Sequence, residues 1–238
     1  MKIPGCLLLT VCTAWVVTTG FAANSNTPDP FASMRGQMVE TQIEHRGVHD
    51  ARVLASMRKV PRHEFVLQGN KRQAYDDHPL PIGFGQTISQ PYIVAYMCEL
   101  AGLDQSSRVL EVGTGSAYHA SVMAQIAAHV YSIEIVPELA ARAQKRVKKL
   151  GYKNISIRNA DGYYGWSEAA PFDAIIVTAA TDHIPPPLIK QLREGGRMVI
   201  PLGHAFFVQK LVLAEKIDGR VRSRDMLPVR FVPLTGSH

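Results

Sequence analysis

The chain has almost no cysteine. Three occur in 238 residues, and two of them, Cys6 and Cys12, sit in the single long apolar run at the N-terminus. A disulfide-stapled fold is therefore excluded, and a chain cleaved after that run keeps only Cys98, with no partner for an intramolecular bridge. Cys and His also lack zinc-ligand spacing, so no metal site is expected. Charged residues reach only 19%, and the formal net charge of +6 falls by one if Lys2 is removed with the N-terminal segment. That excess is too mild to make nucleic acid the expected partner. Internal repeats and low-complexity tracts are missing, which excludes solenoids and fibres. What remains, 46% hydrophobic residues with 18 Gly and 15 Pro, is the composition of an ordinary folded protein long enough for one domain, or at most two, with a full core.

The apolar run itself, residues 6–17 after Lys2, is followed by Gly20-Phe21-Ala22, small residues suited to a cleavage point. Residues 1–22 read as a secretory signal peptide, 23–30 as a proline-punctuated spacer, and 31–238 as a single domain. Thr10, Thr13, Thr18 and Thr19 interrupt the run, which falls short of the roughly 20 apolar residues of a spanning helix, so stable membrane insertion is not expected. The signal predicts an exported protein. A cytoplasmic one is the alternative, with translation starting at Met34 or Met38.

Within the domain, Met38, Ile43, Val48, Val53 and Leu54 fall at helical spacing, and Gly47 with Asp50 divides them into two short helices. Residues 75–90, with Pro79, Pro81, Gly83 and Gly85, read as a long loop of the kind that carries function, and Pro91 opens a helix to about Ala101. From Arg108 the pattern alternates. Strands are expected over 109–112, 130–135, 155–158, 174–177 and 197–201, and helices over 117–127, 137–150 and 186–192. This predicts an α/β fold with a doubly wound, mostly parallel, Rossmann-like sheet behind N-terminal helices. Residues 208–216 and 222–234 break the alternation and read as an antiparallel edge joined through Ile217-Asp-Gly219.

Three strand ends carry chemistry. Gly113 and Gly115, after Val109-Leu-Glu-Val112, form a turn between a buried strand and a helix that lets backbone approach a nucleotide closely. Glu134 ends the next strand about 20 residues on, where an acid accepts hydrogen bonds from ribose hydroxyls. Asp161 ends the third, placed to accept from an adenine amino group, with Gly162 making room for the ring.

Those features resemble class I methyltransferases that use S-adenosylmethionine. The runs Leu80-Pro-Ile-Gly83-Phe-Gly85-Gln-Thr-Ile-Ser89-Gln-Pro91, Val109-Leu-Glu-Val-Gly113-Thr-Gly115-Ser, Asp161-Gly162, Pro171-Phe-Asp173-Ala-Ile-Ile-Val177-Thr-Ala-Ala180, Glu194-Gly-Gly196 and Phe231-Val-Pro233-Leu-Thr235 are similar, in unbroken order, to the protein-L-isoaspartate O-methyltransferase family. The resemblance implies methyl transfer from S-adenosyl-L-methionine to the free carboxylate of L-isoaspartyl residues in damaged proteins and peptides, so that a succinimide re-forms and the linkage is repaired. It implies Ser89 as the active-site residue, Thr87 and Ile88 lining the cofactor, and Thr235 closing the pocket; a monomer is expected. One departure is Ala117, where the family has a third glycine; alanine is tolerated there if the residue already has helical dihedrals.

Other features read more plainly. Cys98 lies in an apolar helix face and is expected in the core, His119 is expected to be structural, and Asp76, Asp77 and His78 are expected to shape their loop. Pro185-Pro-Pro187 shapes a groove rim or starts a helix. The basic cluster at 142–149 interleaves with Ala140, Ala143, Val147 and Leu150 at the spacing of one buried face, and so reads as the outer side of a helix. Two rival functions remain: a methyltransferase acting on RNA or a small molecule, and a nucleoside-binding protein without turnover.

Overall fold

The computed structural model describes Met1 and residues 29–204 and 207–237. Apart from Met1, the expected signal over 1–22 and all but the last two residues of the spacer lie outside the described residues. A helical stretch opens the fold, passing from α1 (Ala32–Gln37) through a π segment (Met38–Ile43) into a 3-10 turn (Glu44–Arg46). Gly47, at φ +93°, ends it, and Asp50 caps α2 (Ala51–Lys59) by accepting from the Arg52 N–H. Gly47 and Asp50 thus divide the two helical segments as expected.

The loop expected over 75–90 is partly ordered as a hairpin. Strands β1 (Leu80–Gly83) and β2 (Gln86–Ile88) pair antiparallel, with Leu80 opposite Ile88. Leu80, Ile82 and Ile88 are buried beneath it, and this apolar anchoring orders a segment whose prolines and glycines suggested a loop. The hairpin feeds α3 (Pro91–Ala101), with proline in its first turn and Gly102 left-handed at its end.

A seven-stranded sheet follows: β3 (Arg108–Val112), β4 (His129–Glu134), β5 (Ile155–Asn159), β6 (Phe172–Val177), β7 (Leu192–Leu202), β8 (Gln209–Ile217) and β9 (Arg220–Val229). Their order is β5-β4-β3-β6-β7-β8-β9, parallel through β7 and antiparallel beyond. Helices α4 (Tyr118–Met123), α5 (Pro137–Lys149) and α6 (Pro186–Gln191) connect the parallel strands. Side chains alternate between two cores as the pleat requires: Val109, Ala174 and Ile176 face one, Leu110, Val112, Ile175 and Val177 the other. Burial on both faces explains why these strands read as continuous apolar runs.

Several expected boundaries move, and α4 ends at Met123 rather than 127. β7 begins five residues early, at Leu192, and β9 stops at Val229 rather than running to 234. Residues beyond it leave the sheet edge and bind Ala180 instead, whose N–H donates to Val232 O at 2.8 Å and whose carbonyl accepts from Leu234 N at 2.7 Å.

Candidate active site

Chain order reverses at β3, which sends β4 to one side and β6 to the other, so a crevice opens at the carboxyl ends of these strands. A cavity of about 990 Å³ fills it. Its wall contains Thr87, Ile88 and Ser89 from the hairpin exit, Gly113 and Gly115 from the turn after β3, Glu134 from β4, Gly162 after β5, and Thr235 from the C-terminal segment. Eight of the nine residues singled out in the sequence therefore meet in one place. Asp161 is the exception.

Its carboxylate accepts from Tyr163 N at 3.0 Å and from Ser237 N at 3.1 Å, and it is not among the cavity-lining residues. The tail crossing at Gly236 packs so closely that any side chain there would overlap the Asp161 carboxylate. Asp161 thus caps a 3-10 turn and latches the C-terminal segment, while Gly162 faces the cavity.

The glycine turn is held from two sides. Gly113 N and Thr114 N both donate to Ile133 O, at 2.8 and 3.1 Å. Thr178 Oγ1 donates to Gly113 O at 2.7 Å, and it occupies the space a Cβ on Gly113 would need. Glu134 accepts from Gly115 N at 2.7 Å and Val136 N at 2.9 Å. Two of its roughly four lone-pair positions are thereby engaged, and the others are left for a diol. At Gly162 a Cβ would stand 2.5 Å from Val112 Cγ1, so the absent side chain leaves both the packing and the pocket open. An adenosyl group fits this donor set and this volume. The Ser89 hydroxyl is half-buried in the same wall, with no hydrogen bond to another described residue.

Comparisons with known proteins agree with this geometry. The sequence profile of the protein-L-isoaspartate(D-aspartate) O-methyltransferase (PCMT) family matches residues 33–238. The chain belongs to this family. A relative from Polaromonas sp., named protein-L-isoaspartate O-methyltransferase 2, is 61% identical over 188 residues, covering 79% of this chain and 89% of its own. Another of that name, from Syntrophobacter fumaroxidans, is 53% identical over 221 residues, with 88% and 89% covered. A solved protein-L-isoaspartate O-methyltransferase superposes with a TM-score of 0.79 at 32% identity, over 85% of this chain and 66% of that one. A structure of the same methyltransferase type from Plasmodium falciparum, in complex with S-adenosyl-L-homocysteine, gives 0.72 at 26% identity, over 84% and 98%.

This methyltransferase departs from expectation at Ala117. The residue is not helical: at φ +67° and ψ 15° it is left-handed, fully buried, and precedes α4 as its N-cap. The turn geometry that suits glycine is retained, and the alanine bears the strain.

Plainer expectations hold. Cys98 is fully buried, and burial raises its thiol pKa. Asp77 pairs with Arg46, and His78 Nδ1 bonds Pro79 O at 3.0 Å, so neither reaches the cavity. Pro185–187 start α6 and do not line the cavity. Part of the basic cluster is structural: Arg142 stacks 5.0 Å over the Phe84 ring, Arg146 donates to Ser116 O at 2.9 Å, and Lys149 pairs with Glu64 at 3.3 Å.

A buried layer beneath the glycine turn was not foreseen. Glu111, fully buried in β3, accepts from Ser132 Oγ, which in turn contacts Thr114 Oγ1 at 2.5 Å. Burial pushes the Glu111 carboxyl up to about 8, with the Glu134 charge adding to the effect. Beside this layer, His119 Nε2 lies 3.3 Å from Cys98 Sγ, and burial holds the imidazole down at about 3, which keeps it neutral. The sequence does contain a signal for Glu111, a carboxylate inside an otherwise apolar strand.

Proposed function

We propose that this chain repairs damaged proteins by transferring a methyl group from S-adenosylmethionine to the free carboxylate of L-isoaspartyl residues, with Ser89 orienting that carboxylate. The observation that supports this reading is the presence of Ser89, the glycine turn and Glu134 in one cavity wall. S-adenosylmethionine, when bound, supplies a methyl group already activated by its sulfonium. The substrate carboxylate is ionised at pH 7 from a reference pKa near 4, so the protein needs no strong general base. Its task is positioning. Ser89 donates a hydrogen bond to one carboxylate oxygen and leaves the other to attack, Glu134 holds the ribose hydroxyls, and Ile88 with Phe231 and Val232 keeps water from the reacting atoms.

The test is incubation with labelled S-adenosylmethionine and an isoaspartyl peptide, its normal aspartyl twin, and tRNA. Base-labile label is expected in the isoaspartyl peptide alone; label in tRNA, or in nothing, overturns the assignment. Ser89→Ala should lower kcat/KM by about 10- to 100-fold, the range of one hydrogen bond to a charged group, with S-adenosylhomocysteine affinity retained.

The same proposal extends to the compartment: residues 1–22 direct export, and the mature chain begins upstream of Phe31. Support comes from Phe31, stacked 4.2 Å from His63, and from the Asp29–Arg35 ion pair at 2.7 Å, contacts that a start at Met38 would delete. Intact mass of the protein from fractionated cells tests it, and a cytosolic species starting at Met34 or Met38 refutes it.

A further inference from the structure

We propose that Arg230 is the cation that receives the isoaspartyl carboxylate at the cavity mouth, a recognition residue additional to Ser89; this rests on the methyltransferase reading above. Among the described residues lining the cavity, the acidic and basic side chains are Glu111 and His119, both neutral through burial, and Glu134 and Arg230. A carboxylate entering beside Glu134 is repelled unless a cation stands in the same wall. Only Arg230 provides one among those residues.

Arg230 is also available. Its side chain is exposed and has no ion pair, hydrogen bond or ring contact among the described residues. Four other cations are engaged elsewhere, Arg142 over Phe84, Arg146 on Ser116 O, Arg197 with Glu215 at 3.0 Å, and Lys210 with Asp225 at 2.5 Å, and Arg220, Arg222 and Arg224 do not line the cavity. The backbone at 230 is nevertheless fixed. Val229 ends the β9 ladder opposite Gln209, and Phe231 N donates to the buried Gln209 Oε1 at 2.9 Å. Three residues on, Pro233 bridges to Ala180. A planar guanidinium on a pinned backbone offers the paired donors that match a carboxylate, and pre-organisation lowers the cost of binding.

The test uses Arg230→Gln and Arg230→Lys with two isoaspartyl peptides that differ only in neutral or acidic neighbours. Kinetics are combined with peptide binding to the S-adenosylhomocysteine complex and with S-adenosylhomocysteine affinity. Arg230→Gln should raise KM and the peptide Kd about five-fold, the upper range for an exposed pair, by the same factor for both peptides. The loss falls on KM rather than kcat, cofactor-product affinity is unchanged, and Arg230→Lys recovers part of it. Added salt should raise the KM of wild type more than that of Arg230→Gln. Unchanged KM in Arg230→Gln, beside a wild type that methylates both peptides, overturns the inference. So does a penalty confined to the acid-flanked peptide, because Arg230 then reads the neighbour and not the lesion. A wild type that methylates neither peptide refutes the underlying reading instead.

Discussion

Gly113→Ala tests whether the cofactor turn depends on a missing side chain. The position has φ +99°, where an L-residue is strained by about 1–2 kcal/mol. The new Cβ would also overlap Thr178 Oγ1, which donates to Val112 O at 3.0 Å and to Gly113 O at 2.7 Å. Moving that hydroxyl away forfeits about 0.5–1.5 kcal/mol. Alanine has less unfolded-state freedom to lose than glycine, which returns about 0.4–1 kcal/mol. The net loss is about 1–3 kcal/mol, with weaker S-adenosylhomocysteine binding because the turn shifts. Urea unfolding and calorimetry on Gly113→Ala, Thr178→Ala and the double variant separate the parts. The overlap component should vanish in the Thr178→Ala background, giving a coupling of about 1 kcal/mol, while the backbone strain persists. A single variant as stable as wild type, or costs that simply add, would refute this account of the turn.

Two further expectations concern the same region. Ala117→Gly relieves about 1–2 kcal/mol of left-handed strain but loses a buried methyl of about 0.8 kcal/mol and adds unfolded-state entropy, so it should lie within about 1 kcal/mol of wild type. Ala117→Val, β-branched at the same dihedrals, should melt well below both, and equal melting temperatures for the three proteins would disprove the strain. The buried Glu111 and His119 shape the pH profile of stability. Glu111 keeps its proton up to about 8, whereas the unfolded chain releases it near pH 4.5, so stability falls as pH rises between those values. His119 refuses a proton down to about 3, whereas the unfolded chain takes one below pH 6.5, so stability falls as pH drops through that window. Thermal melts across pH should show the alkaline slope flattened in Glu111→Gln and the acid slope flattened in His119→Gln; profiles parallel to wild type would count against both.

Local rules made much of this protein legible. Strand and helix periods from Arg108 to Gln191 follow side-chain burial on a two-faced sheet, and turn residues such as Gly47, Asp50 and Pro91 act where they stand because their conformational preferences are intrinsic. The glycine turn, Glu134 and the run through Ser89 could be found for the same reason: each is a short stretch with its own chemistry. What depended on contacts between distant parts of the chain was not legible. Asp161 is claimed by a tail 76 residues away, the hairpin at 80–88 is ordered by apolar side chains beneath it, and Glu111 becomes a neutral acid because its burial is set by packing around β3.

Sequence alone thus determined most of the helices and the strands of the main sheet, and which residues could serve a nucleoside and a carboxylate, since propensity, pleat and side-chain chemistry are properties of neighbouring residues. Tertiary structure decided which of those residues share the cavity, which acid is diverted to hold the tail, and which arginine lines the cavity with no partner among the described residues. Burial, charge balance and the availability of a partner exist only once segments far apart in the chain are in contact.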